Sequence, residues 1–116
     1  MASRATELKD LANKAVMKSD MTTALKHLTE ALGLAPEMDA LWSNRAYAYS
    51  ALGRHTEALA DARECMARAP SSAKGPLRAG RALLELGRAQ EASELLQSAA
   101  DTFPQDYALR EALSDA

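Results

Sequence analysis

With 116 residues the chain is long enough for one compact unit with a modest core and too short for several domains. Hydrophobic residues make up 47%, dominated by alanine and leucine, and there are only five glycines and four prolines, a balance that favours helices over strands. The formal net charge of −2 excludes a general nucleic-acid or anionic-membrane binder, so any anion-binding site must be a local concentration of positive groups.

Leu8, Leu11, Ala12, Ala15 and Val16 form an apolar stripe that predicts a first helix over residues 5–18, broken by Ser19 and Asp20. Ala24, Leu25, Leu28, Ala31 and Leu32 predict a second helix over 21–34, capped by Asp20 or Thr22, and Pro36 forbids its continuation. A third helix is expected over 39–52, ending at Gly53 as a left-handed residue, and a fourth over 55–68, stopped before Pro70. The fifth starts near Ala73 and runs to Gly87. Pro76 falls in its first turn, where a missing N–H has no intrahelical partner to lose. A sixth helix is expected over 89–102, before Pro104. The remaining residues place Tyr107, Ala108, Leu109, Ala112 and Leu113 on one side and Arg110, Glu111 and Asp115 on the other, which predicts a seventh, capping helix over about 105–115.

The six long helices are one hairpin written three times. Pro36, Pro70 and Pro104 recur at 34 residues, as do Ala24, Ala58 and Ala92. Small residues follow the same ladder at Ala12, Ala46 and Gly80, and at Ala31, Cys65 and Ala99. A 34-residue period with a helical hairpin in each copy resembles the tetratricopeptide repeat, and Trp42, Tyr49, Ala58 and Pro70 fit that family's spacing. The resemblance implies an all-α fold. Three repeats (about 5–38, 39–72 and 73–106) and a C-terminal capping helix stack in a right-handed superhelix, with the first helix of each pair lining a concave groove.

In such a stack the second, fifth, sixth and ninth positions of each first helix point into the groove. Among them are Lys9, Asn13, Asn44, Tyr47, Lys74, Arg78 and Arg81. Like charges at i and i+4 destabilise a helix by roughly 0.2–0.5 kcal/mol, yet Lys74 and Arg78 stand in that relation without an acidic neighbour on their stripe. Asn13 and Asn44 lie inside helices, where asparagine is a poor choice. Together these side chains read as donors converging on a carboxylate.

The segments KDLAN (9–13), SNRAYAY (43–49) and AKGPLRAG (73–80) resemble the carboxylate-clamp tetratricopeptide modules of Hsp70 and Hsp90 co-chaperones, such as those of the Hsp70/Hsp90-organising protein. In that group five residues hold the C-terminal Glu-Glu-Val-Asp of the chaperone. Their counterparts here are Lys9, Asn13, Asn44, Lys74 and Arg78, with Tyr47 and Arg81 as further candidates for peptide contact. The sequence departs from the group at Ala12, where glycine is usual, at Pro76, where an aromatic residue is common, and at Tyr47, which puts a larger group on the groove. The resemblance implies a non-catalytic adaptor that binds the acidic C-terminal peptide of Hsp70 or Hsp90. The alternative is a general scaffold that binds an internal segment of a partner.

The other chemistry-bearing residues read as structural. Cys65 occupies a small-residue ladder position and has no second cysteine to pair with, so a buried core residue is expected. Arg45 is expected to form a structural ion pair, and Trp42 and Tyr49 to pack between helices. His27 and His55 have no metal-spaced partner and are expected at the surface. No glycine-rich phosphate loop or catalytic constellation is visible, so neither a cofactor nor an enzyme activity is expected. The polar start and the lack of a long apolar run predict a cytoplasmic protein without membrane or nucleic-acid partners. A monomer is expected, with self-association through the last helix left open.

Overall fold

Apolar residues recur at helical spacing along the whole chain, and it folds accordingly. The computed structural model describes residues 3–116. Seven helices follow in order: α1 (Arg4–Met17), α2 (Met21–Leu34), α3 (Asp39–Ala51), α4 (His55–Arg68), α5 (Lys74–Glu85), α6 (Ala89–Thr102) and α7 (Tyr107–Ser114). The ends fall within a residue or two of the sequence expectation. α7 starts later than expected because Asp106 caps it, its carboxylate accepting from the Leu109 N–H at 2.9 Å. Pro76 is the third residue of α5, inside the first turn.

Each hairpin is closed by the same backbone device. Ser19, Gly53 and Gly87, spaced at 34 residues, adopt φ of 60°, 76° and 76°. The residues that follow them donate back to Ala15, Tyr49 and Leu83 carbonyls at 2.8–2.9 Å, the closing bond of a Schellman motif. Glycine adopts this left-handed conformation freely, whereas a side chain there costs roughly 1–2 kcal/mol. Ser19→Gly is therefore expected to stabilise the fold by about 0.5–1 kcal/mol, after allowing for glycine's freer unfolded chain. A shift of the denaturant midpoint to higher concentration is the readout, and an unchanged or lower midpoint would count against this account of the turn.

Helix starts differ among the hairpins. Asp20 caps α2 by accepting from the Thr23 N–H at 3.1 Å and hydroxyl at 2.7 Å, and these bonds hold its carboxyl below the usual range. At the same place before α4 and α6 stand Arg54 and Arg88, which cannot cap. Their guanidiniums instead bind Glu57 and Glu91 in the first turn, and those hydrogen bonds lower both carboxyls.

The core is built from alanine and leucine. Leu8, Leu28, Leu41, Leu96 and Leu109 are fully buried, and Ala24, Ala31, Ala46, Ala58, Ala62, Ala79, Ala92 and Ala112 lie between helices with no exposed surface. Small residues let the backbones approach, and leucines fill the space between them. The approach is tightest at Gly80, where a Cβ would run into the Leu96 side chain, with Cγ only 2.6 Å away. Cys65 is 1% exposed, and burial pushes its thiol pKa up, with Asp39 adding to the shift and Ser43 opposing it. It is a core residue.

One charged pair enters this interior. Arg45 on α3 makes a two-pronged contact with Asp61 on α4, Nε to Oδ2 at 2.7 Å and Nη2 to Oδ1 at 2.8 Å. Trp42 and Tyr49 flank its guanidinium with ring centroids at 5.4 and 5.5 Å, and Arg68 and Arg54 cover their other positions at 5.1 and 4.8 Å. The Trp42 indole N–H also donates to the Pro36 carbonyl at 2.8 Å, which ties α3 to the preceding turn. His27 and His55 are less exposed than expected: both are half-buried with Nδ1 shielded from solvent, and His55 Nε2 lies 4.0 Å from Glu85 on α5.

Every helix packs on the next, and in addition α3 touches α5 and α5 touches α7. Helices α3, α5 and α7 therefore stand side by side in a body measuring 41 × 26 × 21 Å, and α1 joins the row through α2 and a hollow shared with α3 and α5.

Candidate functional site

Between α1, α3 and α5 the side-by-side row leaves a hollow of about 210 Å³. Asn13, Asn44 and Arg78 supply its polar wall, Tyr47 an aromatic one, and Ala12, Val16 and Leu28 its apolar lining. Asn13 and Asn44 are inward because the first helices present positions four or so residues apart on one stripe. Arg78 reaches the same space from α5, its guanidinium carbon 4.9 Å from the centroid of the Tyr47 ring.

Arg78 is the unusual member. It is half-buried, its Nε is shielded from solvent, and that atom has no hydrogen-bond partner. Burial draws the guanidinium below its ordinary pKa, opposed by Tyr47 and Cys65. Arginine nonetheless stays charged in any protein environment. A desolvated cation without a counter-ion is costly, and such groups are ordinarily paired. No carboxylate lines this hollow.

Lys9 and Lys74 do not line the hollow. They stand four residues before Asn13 on α1 and before Arg78 on α5 respectively, so each is one turn away on a helix that contributes a wall residue. Among the described residues, neither lysine nor Arg78 is ion-paired. Arg81 differs. Its Nη1 donates to Asp115 at 2.6 Å and its Nη2 lies 3.7 Å from Glu111, so α7 occupies it. Val16 and Leu28 were expected as core and prove to serve the hollow as well. Their apolar spacing carries no signal that would separate the two roles.

The wall thus offers two neutral amides and a bidentate cation, with two further cations one turn away. Amide NH₂ groups and guanidinium are donors in need of acceptors, and a carboxylate presents two oxygens with about four lone-pair sites. A larger hollow, about 420 Å³, lies between α4, α5 and α6, rimmed by Arg63, Glu91 and Glu94. Its charges are of both signs and it holds no unpartnered buried polar atom, so it lacks the chemical demand that Arg78 creates. The described residues contain no cluster of side chains suited to a metal ion, and no helix is long and apolar enough to cross a membrane.

A row of helical hairpins with a donor-lined inner face defines a class of helical-repeat domain. The tetratricopeptide repeat model matches residues 51–115, and the chain belongs to that family. It is 36% identical over 115 residues to the Protein STIP1 homolog of Dictyostelium discoideum, a match covering 99% of this chain and 20% of that protein. Among solved structures, it is similar to the Sgt2 TPR domain from Aspergillus fumigatus (TM-score 0.91, 28% identity, 98% of this chain and 77% of that one). It is also similar to the first TPR of Spaghetti (RPAP3) solved bound to the HSP90 peptide SRMEEVD (TM-score 0.90, 25% identity, 97% and 89%). The chain spans 19–32% of the length of the curated relatives it matches along nearly its whole extent.

Proposed function

We propose that this chain is a non-catalytic binding module whose groove captures the free C-terminal carboxylate of an acidic peptide ending of the Glu-Glu-Val-Asp type, as carried by Hsp70 or Hsp90. The observation that carries this reading is the Arg78 guanidinium, half-buried beside Asn13 and Asn44 with its Nε unpartnered and no carboxylate on the wall. A terminal aspartate carries two carboxylates on adjacent carbons of one residue, enough acceptors for both amides and the arginine, with Lys9 and Lys74 adding charge within reach of their flexible stems. Charge-assisted hydrogen bonds of this kind contribute roughly 1.5–3 kcal/mol each. Ordering an extended peptide offsets much of that sum. The interaction is therefore moderate, reversible and weakened by salt.

The likeness to a domain solved with an HSP90 peptide supports the partner class, and the five residues in register support the mode. The whole protein's activity as a co-chaperone adaptor in the cytoplasm belongs to the same proposal. Nitrogen-detected or amide NMR during titration with an acetylated Glu-Glu-Val-Asp peptide tests it. The Asn13 and Asn44 side-chain NH₂ signals and the Arg78 Nε–H signal are expected to shift together. Shifts confined to α2, α4 and α6 would instead favour a scaffold that binds an internal segment on another face.

A further inference from the structure

The ninth position of each repeat, counted from residues 5, 39 and 73, traces one line along the groove: Asn13, Tyr47 and Arg81, at 34-residue intervals. The next step of 34 residues lands on Asp115, at the end of α7. The structure joins the last two rungs, with Arg81 Nη1 donating to Asp115 at 2.6 Å and Glu111, one turn earlier on α7, 3.7 Å from Nη2. A row that begins with an amide donor thus ends on the protein's own acid. Arg81 lies three residues beyond Arg78 on α5, and the two guanidiniums part company: that of Arg78 lies over the Tyr47 ring of α3 without an ion-pair partner, and that of Arg81 is held by the acids of α7.

We infer that α7 tunes the specificity of the groove by occupying Arg81, and that it thereby weakens recognition of acidic side chains upstream of the terminal residue at that end of the groove. An acidic side chain further up a bound peptide meets Arg81 only by displacing Asp115 and Glu111. All three side chains retain solvent, between 38% and 55% exposed, so the internal pair is weak and the restriction is graded. Arg81 is a specificity-determining residue that acts through what holds it. This inference rests on the groove reading above.

The test compares Glu-Glu-Val-Asp with Gln-Gln-Val-Asp peptides, both with free C-termini, on the intact chain and on Glu111→Gln/Asp115→Asn. The variant is expected to bind the acidic peptide roughly 2- to 5-fold more tightly, the range of a released surface ion pair. It should bind the neutralised peptide with unchanged affinity. A charge-matched control, Glu37→Gln/Glu94→Gln, should not reproduce the gain, and adding Arg81→Gln to the α7 variant should remove it. In the parent chain Arg81→Gln alone, which leaves α7 intact, is expected to change the affinity for the acidic peptide less than 2-fold.

A gain shared equally by both peptides, no gain at all, or a loss above 5-fold from Arg81→Gln in the parent would overturn the inference. Acid-specific binding without the gain removes this inference alone. Absence of binding in every form removes the groove reading together with it.

Discussion

Replacing Arg78 with methionine is expected to weaken binding of a peptide with a free C-terminal aspartate about 30- to 1,000-fold, while leaving thermal stability unchanged or raising it. The binding loss follows from removing one partner of a desolvated charge pair, roughly 2–4 kcal/mol. The stability change has the opposite sign because the uncomplexed protein holds a half-buried guanidinium whose Nε has no partner. Methionine keeps much of the stem volume and removes that desolvation cost, although it forfeits the contact with Tyr47 at 4.9 Å. A group kept for folding would show both quantities falling together. Isothermal titration and thermal melting on the same preparation separate the two cases, and a marked drop in melting temperature would identify Arg78 as structural.

The second large effect concerns Asp61. Asp61→Ala is expected to destabilise the fold by about 3 kcal/mol, near the lower end of the cost of breaking a buried ion pair. Asp61 is 6% exposed at its side chain, and its removal strands Arg45, 17% exposed, between Trp42 and Tyr49. The residual solvent contact of Arg45 and its aromatic neighbours keep the cost from being larger. The paired replacement Arg45→Met/Asp61→Leu should recover most of the loss, since apolar groups of similar volume often do as well as the pair they replace. Repeats one and three already place Leu11 opposite His27 and Ala79 opposite Leu95 at these ladder positions. Urea denaturation provides the measurement. A loss below about 0.5 kcal/mol would mean that the pair is no better than a surface contact.

Much of this fold could be read in the chain because three copies of one hairpin repeat each signal. A proline stop or an alanine contact that is ambiguous once becomes firm when it recurs at Pro36, Pro70 and Pro104 or at Ala24, Ala58 and Ala92. Where a copy breaks the pattern, the reading weakens. Ser19 hides a left-handed turn that Gly53 and Gly87 announce. α7 has no proline to mark its end, and its start is fixed by the single hydrogen bond that the Asp106 carboxylate accepts from the Leu109 N–H.

Asn13, Asn44 and Arg78 were legible as members of one stripe but not as the wall of a hollow. Helical phase puts Arg81 on the same stripe, yet phase cannot say which cations are already paired. Arg78 and Arg81 differ only in what lies opposite each: the Tyr47 ring for one, the α7 carboxylates for the other. The long stems of Lys9 and Lys74 likewise leave their ammonium positions undetermined by spacing. A lone histidine carries no periodic signal, so the half-burial of His27 and His55 is not legible from spacing.

The central claim is that the hollow between α1, α3 and α5 demands a chain terminus and not merely an acidic segment. Titration with Glu-Glu-Val-Asp peptides, identical except for a free or amidated C-terminus, tests it most directly. The free acid is expected to bind at least ten-fold more tightly, because amidation removes one carboxylate and sets an NH₂ donor against Asn13, Asn44 and Arg78. Equal affinity for the two forms would contradict it.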